Sequence, residues 1–177
     1  MYINIGNTDS AQPARKPLSR RQRGDTMIEV LVTIIIIAVG VLGAAALQVT
    51  TLKNLSSSHS ASVAAIVAQD FSERMRANPD AALADNYNLS EAPTTTTDCV
   101  TNACATAADL ANYDKETWWA QVTTVLPSGS GEVTRNAGTD TFVLTVRWDE
   151  DRSGSSGVTC PQASAADLEC YRFNITI

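Results

Sequence analysis

The pattern of apolar and polar positions changes twice along this chain. No charged residue occurs between positions 30 and 52, and positions 30–47 are apolar on every helical face apart from Thr33. A helix over such a stretch, rising ~1.5 Å per residue, covers the ~30 Å hydrocarbon core of a bilayer. Its β-branched residues are no obstacle where lipid leaves the backbone no other hydrogen-bond partner. Beyond Leu52 a helical period continues through Leu55, Val63, Ile66, Val67, Phe71 and Met75, interleaved with alanines, until Asn78-Pro79 supplies a stop. The pattern predicts one helix from about Thr26 to Ala77, on the order of 78 Å long. Half of it suits a membrane and half packs on a head.

Residues 80–113 are rich in Ala, Thr, Asn and Asp with few large apolar groups, and read as an irregular, variable loop. A short second helix is predicted over residues 114–126, where Trp118, Val122, Val125 and Leu126 share a face before Pro127-Ser128-Gly129 ends it. Of Trp118 and Trp119, one is expected in the core and one at its rim. The period then falls to 2. Phe142, Leu144, Val146 and Trp148 alternate with Val143, Thr145 and Arg147, and Tyr171, Phe173, Ile175 and Ile177 alternate with Arg172, Asn174 and Thr176. With Glu132-Val133-Thr134-Arg135 and the turn Asn136-Ala137-Gly138, these predict a small antiparallel sheet within residues 132–177. The fold class is α+β: a long N-terminal helix whose outer half covers a small antiparallel sheet, with a short second helix.

Charge divides the chain as sharply. The first 24 residues hold Arg15, Lys16, Arg20, Arg21 and Arg23 against Asp9 alone, while the remainder holds 8 basic against 18 acidic groups. A basic segment ahead of an apolar span places the N-terminus in the cytoplasm and everything after Leu52 outside it. A buried soluble helix and a cleaved secretory signal peptide are the alternatives. The signal peptide is opposed by a run longer than an ordinary h-region and by the lack of a small-x-small site behind a polar c-region, although residues 43–46 imitate one.

Formal net charge of −6 opposes nucleic-acid binding through phosphate neutralisation, and the lone His59 excludes two-His zinc sites. Ser56-Ser57-Ser58-His59-Ser60 invites a catalytic reading. Neighbours on a helix point in different directions, however, and no strand-turn-helix elbow surrounds them, so a solvated face is expected. Four cysteines on the exported side suggest two bridges. Of three connectivities, spacing favours Cys99–Cys104 with Cys160–Cys170 over a metal site. Asp149, Glu150 and Asp151 lack the spacing of a calcium loop and read as a solvated turn. Neither a cofactor nor a metal is expected.

Glu29 stands at the very start of the apolar stretch, where a charge needs a reason. Thr26-x-x-Glu29 offers a capping box, worth about 1 kcal/mol. The wider segment Arg23-Gly24-Asp25-Thr26-Met27-Ile28-Glu29-Val30-Leu31-Val32 resembles the N-terminal signature of type IV prepilins and type II secretion pseudopilins. That resemblance implies cleavage by prepilin peptidase between Gly24 and Asp25, N-methylation of Asp25, and Glu29 as the fifth residue of the mature chain. Asp25 stands where the superfamily usually has Phe. In a filament the Glu29 carboxylate would meet the free α-amine of a neighbour, both being costly unpaired in apolar surroundings.

Later segments resemble the PilV (type IV pilus modification) group of minor pilins. They are Gly40-Val41-Leu42-Gly43, Ala68-Gln69-Asp70 with Glu73-Arg74-Met75-Arg76-Ala77-Asn78-Pro79, Leu126-Pro127-Ser128-Gly129-Ser130-Gly131 and Thr145-Val146-Arg147-Trp148. The helix-bending proline usual in the stem of a major pilin is absent from residues 26–78. The resemblance implies a basic leader at 1–24, a transmembrane and filament-core half-helix at 25–52, and a periplasmic head at 53–177. It further implies an inner-membrane subunit that joins other minor and major pilins and the inner-membrane assembly machinery, primes pilus assembly at or near the tip, and supports adhesion and twitching motility. A type II secretion pseudopilin is the alternative within the class. The rival from another class is a membrane-anchored exported enzyme, whose only candidate groups are Asp149, Glu150 and Asp151.

Overall fold

The computed structural model describes residues 26–177, which form α1 (Met27–Ala77), α2 (Pro79–Leu83), α3 (Ala107–Val125), β1 (Ser130–Arg135), β2 (Thr141–Trp148) and β3 (Glu169–Thr176). This is the α+β arrangement that the periodicity predicts. The chain divides into two units, one ending at Ala45 and the other running from Ala46 to Ile177.

Within the first unit every described residue is exposed, and Ile34, Ile35, Ile36 and Ile37 keep 57–65% of their surface. The helix here is held by its own backbone bonds, with the Thr33 hydroxyl donating to the Val30 carbonyl at 2.8 Å.

In the second unit α1 narrows from apolar on all sides to a buried stripe. Ser60, Ala64, Val67, Ala68, Phe71, Ser72 and Met75 recur at three- and four-residue steps and face the core. Leu55 and Ile66, expected on that face, are 65% and 64% exposed because they fall between the steps. Small residues at 64, 68 and 72 let Trp118 of α3 approach. Its indole N–H donates to the Val67 carbonyl at 2.9 Å, and its ring lies 4.6 Å from that of Phe71. Trp119 is half-buried at the rim.

The sheet runs β1-β2-β3, antiparallel throughout, with Val133 opposite Leu144 and Leu144 opposite Phe173. Phe142, Leu144, Val146 and Ile175 complete the core. A Cβ at Gly131 would overlap the Trp118 ring, so β1 meets α3 through glycine.

Three further expectations need correction. The second helix begins seven residues before Asp114, because Thr106 and Asp109 form a capping box: the Thr106 hydroxyl accepts from the Asp109 N–H at 3.1 Å, and the Thr106 N–H donates to the Asp109 carboxylate at 3.0 Å. The variable loop assigned to residues 80–113 therefore holds the start of α3. It also holds α2, which opens on Pro79 at a position where no backbone N–H is needed. Leu89 of the same region pairs with Val133 by two backbone bonds of 2.9 and 2.7 Å, closing the β1 edge of the sheet. Val125, expected to be inward, is exposed, and α3 presents Ala111, Asp114, Trp118 and Val122 instead.

Candidate functional site

The residues proposed for processing, Gly24 and Asp25, lie outside the described residues. Glu29 is described. It is exposed in the first turn of α1, its N–H donating to the Thr26 carbonyl at 2.8 Å. The Glu29 carboxylate is left at the head of a helix whose 18-residue apolar window has a mean hydropathy of 2.9 and no buried residue. A helix this apolar on all faces has no reason to stay exposed in water. Its surface calls for lipid or for other helices, and a carboxylate at its start calls for a cation.

The cysteines pair locally. Cys99–Cys104 closes a small ring in the loop before α3, and Cys160–Cys170 joins the segment after β2 to β3, with Cα atoms 4.9 and 5.9 Å apart. The second bridge helps that segment cover the outer face of β2. Thr145 and Arg147, expected at the solvent side, are buried there. Arg147 pairs with Glu132 at 2.6 Å and donates to the Val158 carbonyl at 2.9 Å.

The three carboxylates offered as enzymatic candidates do not share one environment. Asp149 is buried, which corrects the expectation of a wholly solvated turn. It accepts from the backbone N–H groups of Ser153 and Gly154 and from the Ser153 hydroxyl at 2.8–3.1 Å. Burial works against its charge, but these bonds prevail and hold the carboxyl below the usual aspartate value. Glu150 accepts from the Trp148 indole at 2.8 Å, and burial likewise loses to its donors, with Ser60 foremost among them after burial. Asp151 is exposed. These three line an acidic cleft of about 370 Å³ with Asp167 and Glu169. Among the described residues no group of three or more Asp, Glu, His or Cys is arranged to hold a metal. His59 and the serines around it lie on the exposed side of α1, except Ser60, which is buried.

Sequence reasoning missed the polar knot that fixes the end of α1. Asp114 is buried and accepts from the Tyr87 hydroxyl at 2.7 Å and from Arg74 at 3.4 Å. The Asn78 amide donates to Tyr87 at 3.3 Å and to the Ala107 carbonyl at 2.8 Å. Burial and the bond to Asp114 together push the Tyr87 hydroxyl far above its ordinary value, so it stays a neutral donor. The signal available was the Thr106-x-x-Asp109 box, which puts Asp114 inside a helix.

In comparison with known proteins, residues 46–116 match the Tt1218-like family, described as type IV pilin Tt1218, and residues 19–45 match the prokaryotic N-terminal methylation motif. Neither a curated protein nor a solved structure matches the chain. The two family matches adjoin at Ala45 and Ala46, and together they support a type IV pilin subunit, structural in kind. The motif implies processing by prepilin peptidase and assembly into pili, and with the apolar helix it fits a membrane-anchored pilin.

Proposed function

We propose that this chain is a minor pilin of the PilV group, cut between Gly24 and Asp25, methylated on Asp25, and assembled through Glu29. The observation that carries the reading is α1 itself: 51 residues without a break, apolar on every face at the start, with one carboxylate in its first turn. In the inner membrane that carboxylate lies near the cytoplasmic boundary, and the cysteine-bridged head lies in the periplasm. On extraction into a filament, Glu29 meets the α-amine of a neighbour. Each of these charges alone in an apolar core costs several kcal/mol, whereas paired they set the axial register of the helices. The absence of a bending proline from residues 26–78 favours a minor over a major pilin. Its work at or near the tip is to prime assembly with other minor pilins, and thereby adhesion and twitching.

The test is intact-mass and N-terminal peptide mass spectrometry on protein from its native membrane. A chain beginning at Asp25 with one added methyl group is expected. An attached leader would make it a signal-anchored protein, and a cut after the apolar run would make it a soluble one. Glu29→Ala is expected to be cleaved normally and lost from sheared pili. Wild-type protein found with secretion components and absent from sheared pili would replace pilus by pseudopilus.

A further inference from the structure

We propose that the outer edge of β3 receives an extended strand from a different subunit of the filament, paired through the backbone of Arg172, Asn174 and Thr176. That the donor is a filament subunit rests on the reading above; the open edge does not.

The register fixes which way each backbone group points. The Ile177 N–H donates to the Asp140 carbonyl at 3.1 Å, and these residues stand opposite one another in the register that runs on from Thr176 and Thr141. In an antiparallel ladder such bonded pairs recur at every second residue, so Tyr171, Phe173 and Ile175 turn their N–H and C=O groups to β2. Those of Cys170, Arg172, Asn174 and Thr176 therefore point away from it. Leu168 begins the same outward row, and its N–H donates to the Gly157 carbonyl at 2.9 Å. Beyond it the row is bare. Among the described residues nothing outside the sheet bonds to the backbone of Arg172, Asn174 or Thr176, and all three residues are exposed.

The opposite edge is closed. Val133 exchanges both backbone bonds with Leu89, and the Arg135 N–H donates to the Asn88 side chain at 3.1 Å. An open edge is a template for pairing with another chain, and folds that keep one unpaired usually blunt it. From Cys170 to Thr176, β3 has no proline, glycine, bulge or inward-pointing charge. On its inward face Tyr171 and Phe173 are only half-buried, their rings stacked 6.5 Å apart beside the buried Ile175. An added strand completes that cover and bonds to the bare row.

The outer face selects the donor. Arg172 donates to the Cys160 carbonyl at 2.6 Å and makes no ion pair among the described residues. A strand with apolar residues beside Tyr171 and Phe173, and an acid across from Arg172 on its other face, meets both demands. A second copy of this chain does not. Its own open row is Cys170, Arg172, Asn174 and Thr176, which holds no acid, and its β1 edge is occupied.

Hydrogen exchange resolved to single amides over residues 169–177 tests the edge, comparing full-length protein in detergent with the same protein in sheared pili. In detergent the amides of Tyr171, Phe173 and Ile175 are expected to exchange slowly and those of Arg172, Asn174 and Thr176 fast. In pili the second set is expected to slow by at least about ten-fold. Protection of that set already in detergent, or its absence in pili, overturns the proposal. Asn174→Pro removes one outward N–H and no bond to β2, so the melt in detergent is expected to hold while protection at Arg172 and Thr176 in pili is lost. Should that variant melt early, Arg172→Glu repeats the reading with the backbone intact, and protection that survives it overturns the acid-bearing donor.

The donor is identified in pili carrying Arg172→Lys and treated with a zero-length carbodiimide. An amide bond from position 172 to an Asp or Glu of a different pilin, within an extended segment, is expected. Coupling to a second copy of this chain, to a protein outside the filament, or to nothing overturns the assignment. Wild-type protein missing from sheared pili removes the pilus reading instead, and the same exchange comparison on native membranes then decides the edge: a row still unprotected there overturns it.

Discussion

The two ends of α1 have the same secondary structure and opposite relations to their surroundings. Around Ile35 the helix is apolar on every side and exposed on every side, whereas around Phe71 only one stripe is apolar and that stripe is buried. Large β-branched residues fill the first region. The second alternates Ala64, Ala68 and Ser72 with Val67, Phe71 and Met75, so that other elements can come close. A helix thus declares its partner by how its apolar residues are distributed around it more than by how many it has. The first region is built for a partner outside the chain and the second for one within it.

Phe71→Ala should strike the second region hardest. It empties a fully buried site against Trp118 and Tyr87 and should cost the head about 3–5 kcal/mol, read as a lower melting temperature of the protein in detergent. Ile35→Ala, in the first region, should move the same melt by less than about 0.5 kcal/mol. Equal losses from the two would erase the distinction.

Cys160→Ser should come next, at roughly 2–3 kcal/mol on loop-closure grounds, and should expose Arg147 and Thr145, a change that hydrogen exchange along β2 would register. Thr106→Ala removes one cap from α3 and should cost about 1 kcal/mol, seen as fraying over residues 107–110. The gentlest probe is pH. Asp149 and Asp167 are held below the usual carboxylate value in the folded head, so their contribution is fully present above about pH 4, the unfolded aspartate value, and is lost as pH falls through the lower folded values. A melting temperature level from pH 7 to about 5 and falling below pH 4 is expected. A decline that begins above pH 6 would contradict it.

The strands, the long helix and the helix stop at Asn78-Pro79 were legible because each obeys a single period over many residues. The start of α3 was not, because its first turn carries alanines in place of a hydrophobic stripe, and only the local Thr106-x-x-Asp109 chemistry marks it. Arg147 reads as a solvent-side residue by alternation. What buries it is the segment after β2 folding back under a disulfide, a long-range event that no local period records. Glu29 was conspicuous in the sequence, since a lone charge beside an apolar run stands out without any structure. The Tyr87–Asp114 bond was hidden, for it joins residues 27 positions apart.

The bond from the Trp118 indole to the Val67 carbonyl spans 51 positions, and the glycine that makes room for that ring lies further on at 131. During synthesis at ~5–20 residues per second, the stripe of α1 emerges roughly 3–13 s before Gly131 does. For that interval a nascent chain presents Val67, Phe71 and Met75 with nothing to cover them. The head therefore sets a clock on its own biogenesis, and slowing elongation between codons 67 and 131 should raise degradation more than slowing it after codon 148.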